Sequence, residues 1–317
     1  MYNVIPIFFT IDDSYAPFLA VALHSAIENA SQDRCYKAII LHQDVSEENR
    51  RRIVSLAKPH FQIEFIPMGT GLESITDHMS NRLRCDYFTL TIYFRLFIPA
   101  MFPQYDKAIY IDSDVVVNGD LSALYDTDLG DNYIGACPDF SIRDVPPLVR
   151  YTVEAVGMEE GTYINSGVLL MNLRLLRQKQ LDTHFLALLN TYHFDCIAPD
   201  QDYLNAMCQG NILYLDECWD AMPNDAHPPL ENPGIIHYNL FSKPWCYDGV
   251  QYGEYFWHYA EGSGYLEAAK RYKENYSSAQ KAADAKCLEL LVNRGAQICQ
   301  NDVTFRKCKA NGVKIHL

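Results

Sequence analysis

Up to residue 112 the chain alternates short apolar runs with longer amphipathic stretches, and no other feature constrains its fold as much. NVIPIFFT (3–10), KAIILHQ (37–43), FQIEFIP (61–67) and KAIYID (107–112) read as strands. Residues 15–29 read as a helix apolar on most sides, and SEENRRRIVSLAK (46–58) as a helix with an acidic first turn capped by Ser46. FTLTIYFRLFIPAMF (88–102) reads as a helix ended by Pro103. Strands alternating with helices predict an α/β fold, a parallel sheet wrapped by helices. Further strands are expected at NYIGACPD (132–139), INSGVLLMN (164–172) and GIIHYN (234–239), with helices at 181–191 and 201–208. Residues 68–88 are polar and read as an irregular loop. From residue 264 the tail reads as helix, with AQKAADAKCLELLVNRG ending at Gly295.

With 317 residues, 49% of them apolar, the chain can bury one large core plus an appendage, or two cores. Its formal net charge of −14 argues against a nucleic-acid partner, which needs a basic face. The charge is uneven: residues 260–317 carry 10 Lys and Arg against 6 Asp and Glu, a local +4 on a chain that is otherwise −18. That shift predicts a boundary near residue 260, separating a catalytic domain at 1–260 from a helical accessory segment at 261–317. The ten cysteines form no CxxC pair and read as free thiols of a reducing compartment. The first residues lack a basic leader region, and no apolar run has membrane-spanning length. A cytoplasmic protein is expected, whose basic C-terminal segment is either a helical cap packed on the main domain, with LELLV (288–292) as its packing stripe, or a contact with the inner face of a membrane.

One of the strand-like runs carries an anomaly. Asp112 and Asp114 stand one residue apart inside IYIDSDVVV, with apolar neighbours on both sides. Residues two apart on a strand share a face at roughly 6.6 Å. Two unpaired carboxylates there repel by about 2.5 kcal/mol at an effective dielectric near 20. Protonation of one, nearby cations or a bridging divalent ion would each relieve that. A solvated strand end is the bland alternative, and the triplet alone is weak; its apolar flanks raise its weight. Other motifs are weaker alone. His237 closes the apolar run IIH, and Lys243 follows before Pro244 and Trp245; singly these are a core histidine and a surface charge. Asn165-Ser166-Gly167 reads as a turn into a strand. Asp200 reads as a helix cap, or else faces a sugar together with Gln201.

In order along the chain, TIDDSY (10–15), YFRL (93–96), YIDSDVVVNGDLSALYDTDLGDN (110–132), GACPDF (135–140), YINSGVLLMNL (163–173), PDQDYLNA (199–206) and HYNLFSKPW (237–245) together resemble glycosyltransferase family 8. This is the bacterial lipopolysaccharide galactosyl/glucosyltransferase and glycogenin type. The resemblance implies a GT-A fold, with a Rossmann-like, mostly parallel central sheet flanked by helices. It implies a Mn²⁺-dependent, retaining transfer of glucose or galactose from a UDP-hexose, with Mg²⁺ as the alternative ion. The acceptor would be a saccharide, a lipid-linked glycan or a protein glycan.

By the same resemblance, Asp112, Asp114 and His237 would hold the metal, and Lys243 would meet the donor diphosphate. Asp12 would bond the uracil edge and Tyr15 would stack on its ring, with Thr10 and Ser113 also at the donor. Arg95 and Asp139 would position the donor sugar. Asn165, Asp200 and Gln201 would line its pocket, with Gln201 near the reacting carbon. Asp200 is a nucleophile by type, whereas the family's retaining step is generally ascribed to front-face attack. One departure stands out: Leu240 occupies the place of a glycine in the family's HxxGxxKPW pattern, which bears on backbone approach to the diphosphate.

Two other readings compete. A haloacid-dehalogenase-like phosphatase also ends an apolar strand in Asp-x-Asp. It needs that strand near the N-terminus and a later acidic pair, whereas the only Asp-Asp here, Asp12-Asp13, lies upstream. A catalytically silent nucleotide-sugar-binding protein would not need Asp112, Asp114, His237 and Lys243 intact.

Overall fold

A computed structural model describes residues 4–68 and 90–317, so the loop expected at 68–88 lies almost wholly outside the described residues. Among the described residues the central sheet has seven strands: β1 (Val4–Ile11), β2 (Cys35–His42), β3 (Phe61–Pro67), β4 (Ala108–Ile111), β6 (Ile134–Ala136), β7 (Val168–Met171) and β8 (Ile212–Tyr214), in the order β3-β2-β1-β4-β7-β6-β8. Pairing is parallel except where β7 runs against β4 and β6. From β1 the chain winds outward to β3, then returns to place β4 on β1's other side. The β1–β4 boundary is therefore a topological switch point, where ligands of open α/β sheets bind beyond the carboxyl ends of the strands.

Alternation along each strand divides the core. Ile109 and Ile111 join Ile5, Ile7, Phe9 and Ile11 in one apolar layer, covered by α1 (Ala16–Glu28). Ala108 and Tyr110 join Phe8, Ile39 and Leu41 in the other. That second layer is covered by α3 (Phe94–Met101), α7 (Leu181–Tyr192) and α8 (Pro199–Cys208). Residues 88–89 of the expected helix lie outside the described residues; α3 itself follows a 3₁₀ turn at Leu90–Tyr93 and stops at Met101. Helix α2 (Glu47–Val54) is capped by Ser46 as expected, and α4 (Leu121–Asp126), α5 (Pro146–Tyr151) and α6 (Leu173–Gln178) are short helices that the apolar pattern did not signal.

The run read as one strand through the aspartates is in fact two. β4 ends at Ile111, and the valines form β5 (Val115–Val117), which leaves the central sheet and pairs antiparallel with β9 (Ile235–His237). Register sets Val115 opposite His237. The aspartates sit in the turn between two sheets, and a residue more than a hundred positions downstream is brought beside them.

Beyond residue 252 come α9 (Gly253–Gly262), α10 (Leu266–Asn275), α11 (Ser278–Ile298) and α12 (Phe305–Ala310). Packing does not stop near residue 260. Leu291, Ile298, Phe305 and Ile315 are buried in the same apolar layer as Tyr110. Phe305 stacks on Phe194 at 4.0 Å, and the Leu317 N–H donates to the Met207 carbonyl at 3.0 Å. Of the LELLV stripe, Leu291 and Val292 pack inward while Leu288 and Leu290 are exposed. Gly295 does not end its helix. It lies within α11 where a Cβ would come 3.3 Å from Leu148 Cδ2, so glycine there serves close approach to α5.

Candidate functional site

β1 and β4 deliver the first polar groups. Thr10 bonds the Tyr110 hydroxyl at 2.8 Å, and that hydroxyl donates to Asp112 Oδ1 at 2.7 Å. Asp12 Oδ1 accepts the Ser14 and Tyr15 N–H groups, capping a 3₁₀ turn that leads into α1. Tyr15 follows in that turn, edge-on to Phe18 at 5.5 Å. Ser113 is buried and donates to the Thr10 carbonyl at 3.3 Å.

Past the β4 turn, Asp112, Asp114 and His237 each place a ligand atom within 4.8 Å of the others. Each carboxylate has its own cation. Arg95 Nη2 lies 2.9 Å from Asp112 Oδ1, and Lys243 Nζ lies 2.5 Å from Asp114 Oδ2. An opposite-charge pair at that range is worth about 6 kcal/mol before desolvation at an effective dielectric near 20, more than twice the repulsion between the acids. Burial works against ionised Asp114, yet Lys243 and His237 hold its carboxyl well below the usual range. Burial would lower the His237 pKa, but Asp220 and Asp114 outweigh it and push it up to about 10.

Behind the aspartates, Arg95 on α3 is a buried hub. Its Nη1 donates to the Ser166 carbonyl at 2.6 Å, its Nε lies 3.2 Å from Asp200 Oδ2, and its guanidinium covers the Tyr110 ring at 4.3 Å. Asp200 does not cap α8: Ala198 stands at the N-cap and Pro199 opens the helix, leaving Asp200 and Gln201 in the first turn, facing inward. Ser166 Oγ donates to Asp200 at 3.0 Å, and Gln201 Oε1 accepts the Ser166 N–H at 3.0 Å. Gln201 Nε2 donates to Asp139 Oδ2 at 2.8 Å, and Asn165 Nδ2 reaches the same oxygen at 3.2 Å. One hydrogen-bonded chain thus joins Asp112, Arg95, Asp200, Gln201, Asp139 and Asn165, residues drawn from five separate stretches of sequence.

Gly167 packs against the Asp112 and His237 side chains. A Cβ there would sit 2.2 Å from His237 Cε1 and 2.9 Å from Asp112 Oδ2. Its carbonyl also accepts the Asp112 N–H at 2.7 Å. Leu240 adopts φ +56°, the left-handed conformation that glycine takes without penalty. The backbone thus keeps the conformation expected of the family's glycine, with a leucine in it. Tyr110 and Asp220 were not signalled by the sequence. Tyr110 looks like a core aromatic, and Asp220 lies in an unremarkable ECWDAM stretch. Only the Ala221–Ile236 bridge brings Asp220 beside β9.

The sequence profile of Glycosyl transferase family 8 matches residues 6–249. The chain belongs to that family. It is 30% identical over 220 residues to a putative glycosyltransferase of Haemophilus influenzae, spanning 69% of this chain and 64% of that protein. It is 28% identical over 200 residues to the lipopolysaccharide 1,2-glucosyltransferase of Escherichia coli, spanning 55% of this chain and 56% of that one. The chain thus matches under two thirds of the length of either relative. Among solved structures it resembles the galactosyltransferase LgtC in complex with donor and acceptor sugar analogs, with 27% identity and a TM-score of 0.69 over 81% of this chain and 96% of that one. The family 8 fold, a GT-A arrangement with a mostly parallel sheet flanked by helices, is present here. Membership in this family argues against the phosphatase reading.

Among the described residues no helix is long and apolar enough to cross a membrane. The nine cysteines among them are all unpaired.

Proposed function

We propose that this protein is a retaining hexosyltransferase that moves glucose or galactose from a UDP-sugar to a saccharide or glycoconjugate acceptor, with Mn²⁺ preferred. The observation that carries this reading is the convergence of Asp112, Asp114 and His237, with Lys243 adjacent, at the β1–β4 switch point. The donor set fits a divalent cation: oxygen from two carboxylates and one imidazole nitrogen within 4.8 Å of one another. The imidazole favours manganese over magnesium. When bound, such an ion supplies Lewis acidity toward the departing diphosphate.

The chain's own groups do the remainder. Lys243 adds a half-buried positive charge on the diphosphate side. Thr10, Asp12, Tyr15 and Ser113 lie at the carboxyl ends of β1 and β4, where a uridine would rest. Arg95 holds Asp112 and Asp200 in fixed relation, so that the metal side and the sugar side keep one geometry. Asp139, Asn165 and Gln201 present a preorganised set of amide and carboxylate groups to the donor sugar. Release of UDP from a panel of UDP-sugars, with Mn²⁺ and then with chelator, tests the reading. Turnover of UDP-glucose or UDP-galactose that chelation abolishes is expected. UDP release indifferent to chelator would remove the metal from the proposal, and no turnover of any UDP-sugar would favour the silent binding protein. Product anomeric coupling reports the linkage, and a β product would remove retention.

A further inference from the structure

His237 is held on its far side by a carboxylate that the motifs do not contain. Asp220 Oδ1 lies 3.0 Å from His237 Nδ1, while His237 Nε2 faces Asp114 Oδ1 at 3.4 Å. Asp220 is 0% exposed and His237 2%. Both are locked by backbone: the Ala221 N–H donates to the Ile235 carbonyl, and the His237 N–H returns to the Ala221 carbonyl at 2.8 Å. Gly167 lies against the ring edge so closely that a single methyl there would collide with it.

Asp220 is an expensive residue to bury. Its Oδ2 has no hydrogen-bond partner among the described residues, and Asp112 and Asp139 add like charge nearby. Among the described residues the side-chain hydrogen bond of the Asp220 carboxylate goes to His237 Nδ1, so its cost of burial is offset through that ring. What a carboxylate does here is accept the Nδ1–H and thereby fix the ring tautomer.

We infer that Asp220 is a positioning residue: it keeps a proton on His237 Nδ1, so that Nε2, which faces the space between Asp112 and Asp114, is the nitrogen that gives up its proton to a cation there. The arrangement is a carboxylate–imidazole–cation relay, in which the outer acid orients the ligand and raises its basicity. The inference rests on the reading of Asp112, Asp114 and His237 as a cation site.

The test uses Mn²⁺ alone, without nucleotide, on the full chain. Binding is followed by titration calorimetry and by the electron paramagnetic resonance of the bound ion, with thermal melting of the metal-free proteins alongside. Asp220→Asn retains an acceptor for Nδ1–H but no charge, and Asp220→Leu retains neither. Loss of an outer-shell acid of this kind weakens metal binding by about 10–100-fold. The expected order of affinity is wild type, then Asn, then Leu, with an altered resonance spectrum in Leu. Equal Mn²⁺ affinity in all three proteins overturns the positioning role while leaving the cation site standing. Wild type that binds no Mn²⁺ overturns the cation site itself and this inference with it. Should Asp220→Leu not fold, the Asn variant decides: reduced affinity at an unchanged melting temperature supports the role, and affinity lost only in step with melting refutes it.

Discussion

At the scale of single residues, Leu240 and His237 make the sharpest demands. A left-handed non-glycine residue costs about 1–2 kcal/mol, whereas glycine in its place costs about 0.5–1 kcal/mol in unfolded-chain entropy. The two nearly cancel, since Leu240 is only partly buried against the core. Leu240→Gly is therefore expected to leave the melting temperature within a few degrees of wild type while tightening UDP binding, because the backbone gains room to approach the diphosphate. Weaker UDP binding by calorimetry would show that the leucine itself contributes. For His237, the sign follows from its raised pKa of about 10. In the metal-free protein the protonated ring stabilises the fold below the ordinary histidine pKa, and that stability is lost as pH climbs toward 10. A metal ligand must be deprotonated, so each ion bound displaces a proton. Between about pH 7 and 9, Mn²⁺ affinity should rise by up to about tenfold per pH unit. The thermal shift produced by Mn²⁺ should grow in parallel. Affinity flat across that range would mean His237 is already neutral and Asp220 does not charge it.

At the scale of elements, the site depends on where strands stop. β4 ends at Ile111 and β5 begins at Val115, so the acids occupy a turn rather than a strand face. β7 enters from the opposite direction, and its leading Gly167 supports both Asp112 and His237. Gly167→Ala tests this contact. The added methyl would meet backbone-anchored neighbours on both sides, an overpacking cost of about 1–3 kcal/mol. The expected outcome is a folded protein of lower denaturant midpoint whose Mn²⁺ affinity falls at least tenfold. Wild-type metal affinity in this variant would show that His237 has freedom to move, contrary to the packing.

At the scale of the whole molecule, the tail decides whether there is one folding unit or two. Leu291, Ile298, Phe305 and Ile315 are each buried to within 5% of fully. Burying a large apolar side chain is worth about 1.5–3 kcal/mol, so the four together contribute about 6–12 kcal/mol. That matches the entire net stability of an ordinary domain, about 5–15 kcal/mol. Deleting residues 264–317 is therefore expected to yield an aggregated or unfolded chain by circular dichroism and size exclusion. A soluble truncation that still releases UDP from a UDP-hexose would support the boundary that the charge shift suggests.

Much of this was legible in the sequence for a local reason. Strand and helix periodicity is a property of near neighbours, so β1 to β4, α1, α7 and α8 lie close to where the apolar pattern puts them. Asp112, Asp114, His237 and Lys243 were singled out by residue type and by motif order, and tertiary structure gathers them in one place. What sequence could not determine was anything set by pairing across distance. The break between β4 and β5 depends on β9 offering a second sheet, more than a hundred residues on. Gly295 reads as a helix stop until α5 is known to lie against it. The charge of the tail is visible from its residues, but its burial is not, because an apolar residue seeks whatever surface the fold presents to it. Asp220 carries no local signal at all. Its place is fixed by a backbone bridge to β9, and only there does a buried acid come to face the ring of His237.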